Sequence, residues 1–234
     1  MRFSFAPDFA ALFPEYSRWL VVAHRMDNRA YHPEVADWLL AASEGVRANA
    51  ALAANPAAHP RLAAWREAFR RFGAKPADTR PALESLVRRV LKGDAIPYIN
   101  TAVALMNALS LAHLLPCGGD DLDRVVGHFS LRLARGDEPF TPFIGGETEY
   151  PAPGEVILAD DAQVMCRRWI WRQGDATKVT PDTTAVAINV DVLPPATVAE
   201  GEAAAHELAA RLRDFCGAEV RLFLLDRDHP VAEW

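Results

Sequence analysis

The chain has 234 residues, 50% of them hydrophobic and 24% charged, with a formal net charge of −6. That length can bury a sizeable core as one large domain or two small ones, and the acidic balance argues against a general nucleic-acid coat. No apolar run reaches the roughly 18 residues of a membrane span. The start, MRFSFAPDFAALFPEY, lacks the charged, apolar and cleavage regions of a signal peptide. Cys117, Cys166 and Cys216 are too few and too widely spaced for a disulfide framework or a zinc site, so a reducing cytoplasm is the expected setting and neither cofactor nor metal is expected.

The first third reads as mostly helical. A short apolar strand is expected at residues 19–23. After His32-Pro33 the run EVADWLLAASEGVRANAAL has helical apolar spacing and stops before Pro56 and Pro60. RLAAWREAFRRFG builds a second helix ending at Gly73, with Leu62, Trp65 and Phe69 on one face and Arg66 and Arg70 on its flank. PALESLVRRVLKG opens at Pro81 and closes at Gly93, and NTAVALMNALSLAHLL runs from Asn100. Residues 61–93 carry nine Lys/Arg against three carboxylates, whereas residues 94–162 carry three arginines against eleven carboxylates. The basic stretch is either a solvated helical face or a polyanion-binding patch.

Beyond Pro116 the apolar period changes to two. FSLRLAR (129–135), EVILAD (155–160), VMCRRWIWR (164–172) and AVAINVDVL (185–193) read as strands. A helix over about 197–215 and a last strand at 220–225 follow. The glycine pairs Gly118-Gly119 and Gly145-Gly146 read as tight turns. Helices first, strands later and one closing α–β unit define an α+β class, expected as one domain over 1–234 with a helical N-terminal extension over 1–81.

No G-x-S-x-G elbow, P-loop, H-E-x-x-H or paired C-x-x-C is present. The richest stretch is CRRWIWRQGDATKVTPDTT (166–184). As a strand it would place Arg167, Trp169 and Trp171 on one face and Arg168, Ile170 and Arg172 on the other. That is either a stacking and anion-gripping ridge or two core tryptophans with paired arginines. Cys166 is either a thiol made acidic by its arginine neighbours or a small buried hydrophobe. His113 and His128 have no metal-like spacing.

Five segments in order resemble the B3/B4 domain of the bacterial phenylalanyl-tRNA synthetase beta subunit, the module that edits mischarged tRNA. They are INTAVALMNALSL (99–111), DLDRVVG (121–127), LRLARGDEPFTPFIGGE (131–147), VILADDAQVMCRRW (156–169) and KVTPDTTAVAINVDVLPP (178–195). The likeness covers about residues 82–195. It implies an α+β, B3/B4-like fold with a β-sandwich-like sheet arrangement flanked by helices. It also implies a freestanding tRNA-binding protein that hydrolyses the ester of a mischarged aminoacyl-tRNA. The alternative is a non-catalytic module binding tRNA, an amino acid or another small polar ligand. The family's pocket asparagine falls on Asn107, its histidine on Gly118 and its pocket glutamate on Asn189. The pocket expected from the resemblance comprises Asn107, Gly118, Arg167, Arg168, Trp169, Thr180, Thr183 and Asn189, with further hydroxyls from Thr177 and Thr184. Arg66, Arg70, Arg71, Arg88, Arg89 and Lys92 would contact tRNA. The expected partner is aminoacylated tRNA, with neither membrane nor DNA.

Overall fold

Strand β8 (Val186–Val192) is buried throughout, yet its two faces differ in kind. Val186, Ile188, Val190 and Val192 join a core built mainly with helices, while Ala187, Asn189 and Asp191 alternate onto the other face. A strand with an all-apolar face and a part-polar face suits a sheet sandwiched between helices and a second sheet. The computed structural model, which describes residues 1–143 and 145–234, has this arrangement. Ile144, within the LRLARGDEPFTPFIGGE segment, lies outside the described residues.

The first sheet has the order β3 (Cys117–Asp121), β8, β2 (Ser17–His24), β9 (Glu219–Leu225), with antiparallel neighbours. Helices α2 (Pro33–Ala48), α5 (Ala82–Leu91), α6 (Thr101–His113) and α7 (Val198–Cys216) contribute to the core on its outer face. The second sheet has the order β10 (Val231–Glu233), β1 (Arg2–Phe5), β4 (Phe129–Leu133), β5 (Val156–Ala159), β6 (Val164–Arg167), β7 (Arg172–Gln173). Among the described residues only β1 and β4 pair in parallel. Between the sheets lies an aromatic core joined by α1 (Pro7–Leu12) and α4 (Pro60–Arg71). Among the described residues neither sheet closes into a barrel, and the architecture is α+β with two sheets and flanking helices.

Local chemistry explains the helices that the sequence announced. Asn100 caps α6 by accepting from the Val103 N–H at 2.9 Å. Thr197 and Glu200 form a reciprocal capping box at the start of α7. Asn49 divides the long second helix, capping α3 (Ala50–Ala54) through the N–H groups of Ala51 and Leu52.

Three expectations are corrected. Gly118-Gly119 is no turn; both lie in the edge strand β3, paired with Asn189 and Ile188. A Cβ on Gly119 would stand 3.0 Å from Ile188 on β8 and 3.0 Å from the Met106 sulfur on α6, so a side chain there would press on both neighbours. The single strand over 164–172 is broken: β6 ends at Arg167, Arg168 and Trp169 take φ of 47° and 67°, and the chain returns as β7. The period-two argument for one Trp–Arg face therefore fails. Finally, residues 1–81 hold β1 besides the expected strand, here β2, and both are interior strands of their sheets, so the segment is not a purely helical extension.

One buried ion pair fastens the floor. Arg18 on β2 and Asp191 on β8 are directly opposite, and Arg18 Nε donates to Asp191 Oδ1 at 2.7 Å with both side chains almost fully buried. The same carboxylate accepts from the Tyr16 hydroxyl at 2.5 Å and from Asn189 Nδ2 at 2.9 Å. Removing one partner leaves an uncompensated buried charge. Arg18→Met should therefore destabilise the fold by about 3–5 kcal/mol in urea titration, and Arg18→Met with Asp191→Leu should recover much of that loss.

Candidate functional site

A cavity of about 470 Å³ lies between the sheets, walled by α5 and α6 on one side and by the 169–173 turn and strand on the other. Asn107 from α6, Gly118 from β3, Asn189 from β8 and Trp169 all line it. The Asn107 carboxamide is half-buried and has no hydrogen-bond partner among the described residues. Asn189 is held by its bond to Asp191, and its Oδ1 lies against Gly118, 3.7 Å from where a Cβ would stand. A side chain at residue 118 would begin to fill the floor here.

The cavity holds a carboxyl that the sequence reading missed. Asp120 is 3% exposed and lines the cavity. Its Oδ1 accepts from Gln173 Nε2 at 2.6 Å and Thr177 Oγ1 at 2.7 Å, while Oδ2 has no donor among the described residues. Burial pushes the carboxyl up to about 6, against the pull of those two donors and of Arg18. Its signal was the acidic pair in CGGDD: in a strand, Asp120 and Asp121 must face opposite sides. The Gly118-Gly119 pair before it has the composition of a turn, which hides the alternation.

Other expected site residues lie elsewhere. Arg167 does not line the cavity; its Nε and Nη2 fork onto Glu155, both at 2.9 Å, and Nη1 reaches Glu149 at 2.6 Å. Arg168 lies 3.4 Å from Glu155 and stacks over the Trp171 ring at 4.5 Å. Thr180 and Thr183 fold their own loop: Thr183 Oγ1 donates to Asp121 at 2.6 Å and accepts from the Thr180 N–H at 2.9 Å. Thr184 donates to Asp123 at 2.9 Å. Of the four threonines, only Thr177 touches a cavity residue, through Asp120. Trp169 is a core residue and a cavity wall at once, packed edge-on against Phe9, Phe13, Tyr16 and Trp65 at 4.6–5.1 Å. Burial raises both cavity thiols, Cys117 well above its usual range and Cys166 to about 12, so neither is a nucleophile at neutral pH.

The basic helical face is largely paired within the chain. Arg66 and Arg88 both bind the buried Glu84, at 2.9 and 2.8 Å. Arg70 pairs with Glu67 and Arg71 with Glu15. Arg89 and Lys92 make no ion pair among the described residues, and exposed Arg89 lines the cavity mouth. A second hollow of about 330 Å³ is lined by Arg2, Arg132, Arg135, Asp160 and Asp161, whose charges have partners inside the chain. Among the described residues no helix is long and apolar enough to cross a membrane, and no group of three or more His, Cys, Asp or Glu is placed to hold a metal ion.

Two sheets with helices outside and an amide-floored cavity between them define an α+β pocket protein. Residues 64–213 match the family model of the B3/4 domain, and the chain belongs to that family. No curated protein matches the chain. A crystal structure of an N-terminal fragment of the phenylalanyl-tRNA synthetase beta-subunit from Pyrococcus horikoshii is similar over 52% of this chain and 41% of that one, at 16% identity and a TM-score of 0.42.

The raised Asp120 value carries a stability consequence. Its folded pKa exceeds the ordinary 3.8, so the native state holds the extra proton between about pH 4 and 6 and loses stability as pH rises through that window. Asp120→Asn keeps an acceptor for Gln173 and Thr177 and removes the charge. It should raise unfolding free energy by about 2–3 kcal/mol at pH 7–8, with the gain vanishing near pH 4, as read by denaturant titration across pH.

Proposed function

We propose that the chain is a tRNA-editing-type esterase, hydrolysing the ester of a mischarged aminoacyl-tRNA in the cavity between its sheets. The observation that carries this reading is the meeting of Asn107, Gly118 and Asn189 at one cavity in a B3/4-family chain. These are the positions that correspond, by resemblance, to the family's editing pocket.

The chemistry asks little of a general base. An aminoacyl ester is already activated, and holding a water and the carbonyl in line supplies much of the rate. The Asn107 amide has free donors and acceptors, and the Asn189 Oδ1 is an acceptor on the floor. The half-exposed Trp171, with Arg89 opposite, gives the mouth a stacking surface and a cation for the terminal nucleotide, while Arg172 beside them is paired with Glu149 at 2.8 Å. From the threonine loop only the Thr177 hydroxyl reaches a cavity residue, where it fixes Asp120.

A panel of mischarged tRNAs incubated with the purified protein tests the reading, and deacylation of none overturns it. Where activity is found, Asn107→Ala should lower kcat by about 10²–10³, the loss typical of one oxyanion-type donor. Arg89→Ala should flatten the salt dependence of tRNA affinity by about one unit of slope, whereas Arg66→Ala and Arg88→Ala should act mainly on stability.

A second reading is favoured by one observation: four of the six basic residues expected on tRNA are paired inside the chain. On that reading the cavity binds a free amino acid or another small polar ligand. Strong thermal stabilisation by such a ligand, without tRNA affinity, would select it.

A further inference from the structure

We propose that Asp120 is the ammonium anchor of the cavity: its free Oδ2 binds the protonated α-amino group of the occupant, so the site takes ligands bearing a primary ammonium. This inference rests on the cavity being the aminoacyl pocket, and it names the part of the substrate that the pocket holds.

Asp120 lacks a cationic partner among the described residues. Buried carboxylates are ordinarily paired with a cation or fully hydrogen-bonded, because removing a charge from water is costly. The chain follows that rule elsewhere: Glu84 receives two arginines, Glu155 receives Arg167 and Arg168, and Asp191 receives Arg18. Asp120 is as buried as these and makes no ion pair among the described residues. Gln173 and Thr177 fix Oδ1 and thereby the plane of the carboxyl, leaving Oδ2 without a donor in a cavity large enough for an aminoacyl group. The complement of such an oxygen is a compact cation with several donors, which describes a primary ammonium.

The charged and titratable neighbours do not supply that partner. Arg18 on β2, which also lines the cavity, is the nearby cation and favours the ionised form of Asp120. Its Nε and Nη2 both engage Asp191, and it makes no ion pair with Asp120 among the described residues. Asp160, at the end of β5, opposes ionisation, and the thiols of Cys166 on β6 and Cys117 on β3 are neutral at pH 7. The carboxyl titrates near 6 and an α-amino group near 8, so both partners are charged at pH 7. Below pH 6 the anchor is protonated and its attraction is lost.

The test uses L-amino acid amides, whose only charge is the α-ammonium, beside the matching N-acetylated amides, in calorimetric titration of the whole chain. At least one amide should bind wild-type protein 10-fold or more tightly than its N-acetylated form. Its affinity should fall about 10-fold between pH 7 and pH 5 as Asp120 takes up a proton. Asp120→Asn, shown folded by its melting curve, should remove both the preference and the pH dependence. Equal binding of the acetylated forms, unchanged binding by Asp120→Asn, or no binding of any amide would each overturn the anchor. Deacylation persisting in the last case would overturn the anchor alone. Ammonium-selective binding without deacylation of any tRNA would support the anchor and overturn the esterase.

Discussion

The structure is organised around one carboxylate that four side-chain donor contacts converge on. Asp191 takes Arg18 Nε and Nη2, the Tyr16 hydroxyl and the Asn189 amide, and it is inaccessible to solvent. Dehydrating this pair is costly, and only near-complete hydrogen bonding makes it tolerable. Satisfying it dictates much else. β2 and β8 must pair with Arg18 opposite Asp191; Tyr16 must turn its ring into the aromatic core; Asn189 must present its amide nitrogen to Asp191 and its oxygen to the cavity. The pair thus links sheet register, intersheet packing and the polarity of the pocket floor. It also gives a reason for Asn189, where the resembling family has glutamate. A carboxylate there would meet Asp191, two residues along on the same face, as a second buried anion, whereas an amide meets it as a donor.

Across the cavity the wall depends on a different balance. Arg168 and Trp169 occupy left-handed backbone, which costs roughly 1–3 kcal/mol for each non-glycine residue. Four edge-on aromatic contacts to Trp169, each contributing about 0.5–1.5 kcal/mol beyond burial, offset that cost. The Trp169 N–H to Val156 C=O bond and the Ala82 N–H to Ile170 C=O bond, both 2.8 Å, tie the turn to β5 and to the start of α5. With Trp169 drawn inward, Trp171 is left at the rim with Arg168, Arg167 and Arg172 around its ring. The aromatic–cationic cluster visible in the sequence therefore exists, but one tryptophan supports the wall from within and the other borders the mouth.

The longer helices and strands were legible because each carried its own local signal, period, cap or stop, whereas the six-residue α1 was not read. α2, α4, α5, α6, α7, β2, β4, β8 and β9 lie close to where the pattern placed them. β1, β3 and β10 were not, since short strands and a glycine-rich edge show too few positions for alternation to emerge. The site was legible only in part and for a related reason. Asn107, Gly118 and Asn189 came through ordered motifs, and Trp169 through its type. Arg167, Arg168, Thr180 and Thr183 were of suitable type, but a sequence does not show which partners already occupy them. Glu149, Glu155 and Asp121 do so here.

The contrast between those occupied groups and Asp120 is the more informative result. A chain that can place two arginines on Glu155 and two on Glu84 has no shortage of cations for buried acids. Keeping Asp120 ionisable, with one oxygen fixed and one bare, lowers stability at neutral pH, and an asparagine would satisfy Gln173 and Thr177 as well. Packing and hydrogen bonding inside the chain thus supply no reason for the charge. On the proposed anchor its complement is the ammonium of what enters the cavity, as expected where stability is traded for recognition. Around Asp120 the lining includes neutral amides and raised thiols, with Arg18 committed to Asp191 beside them. On the proposed anchor an occupant is oriented by one ionic contact at its depth and by Trp171 and Arg89 at the mouth.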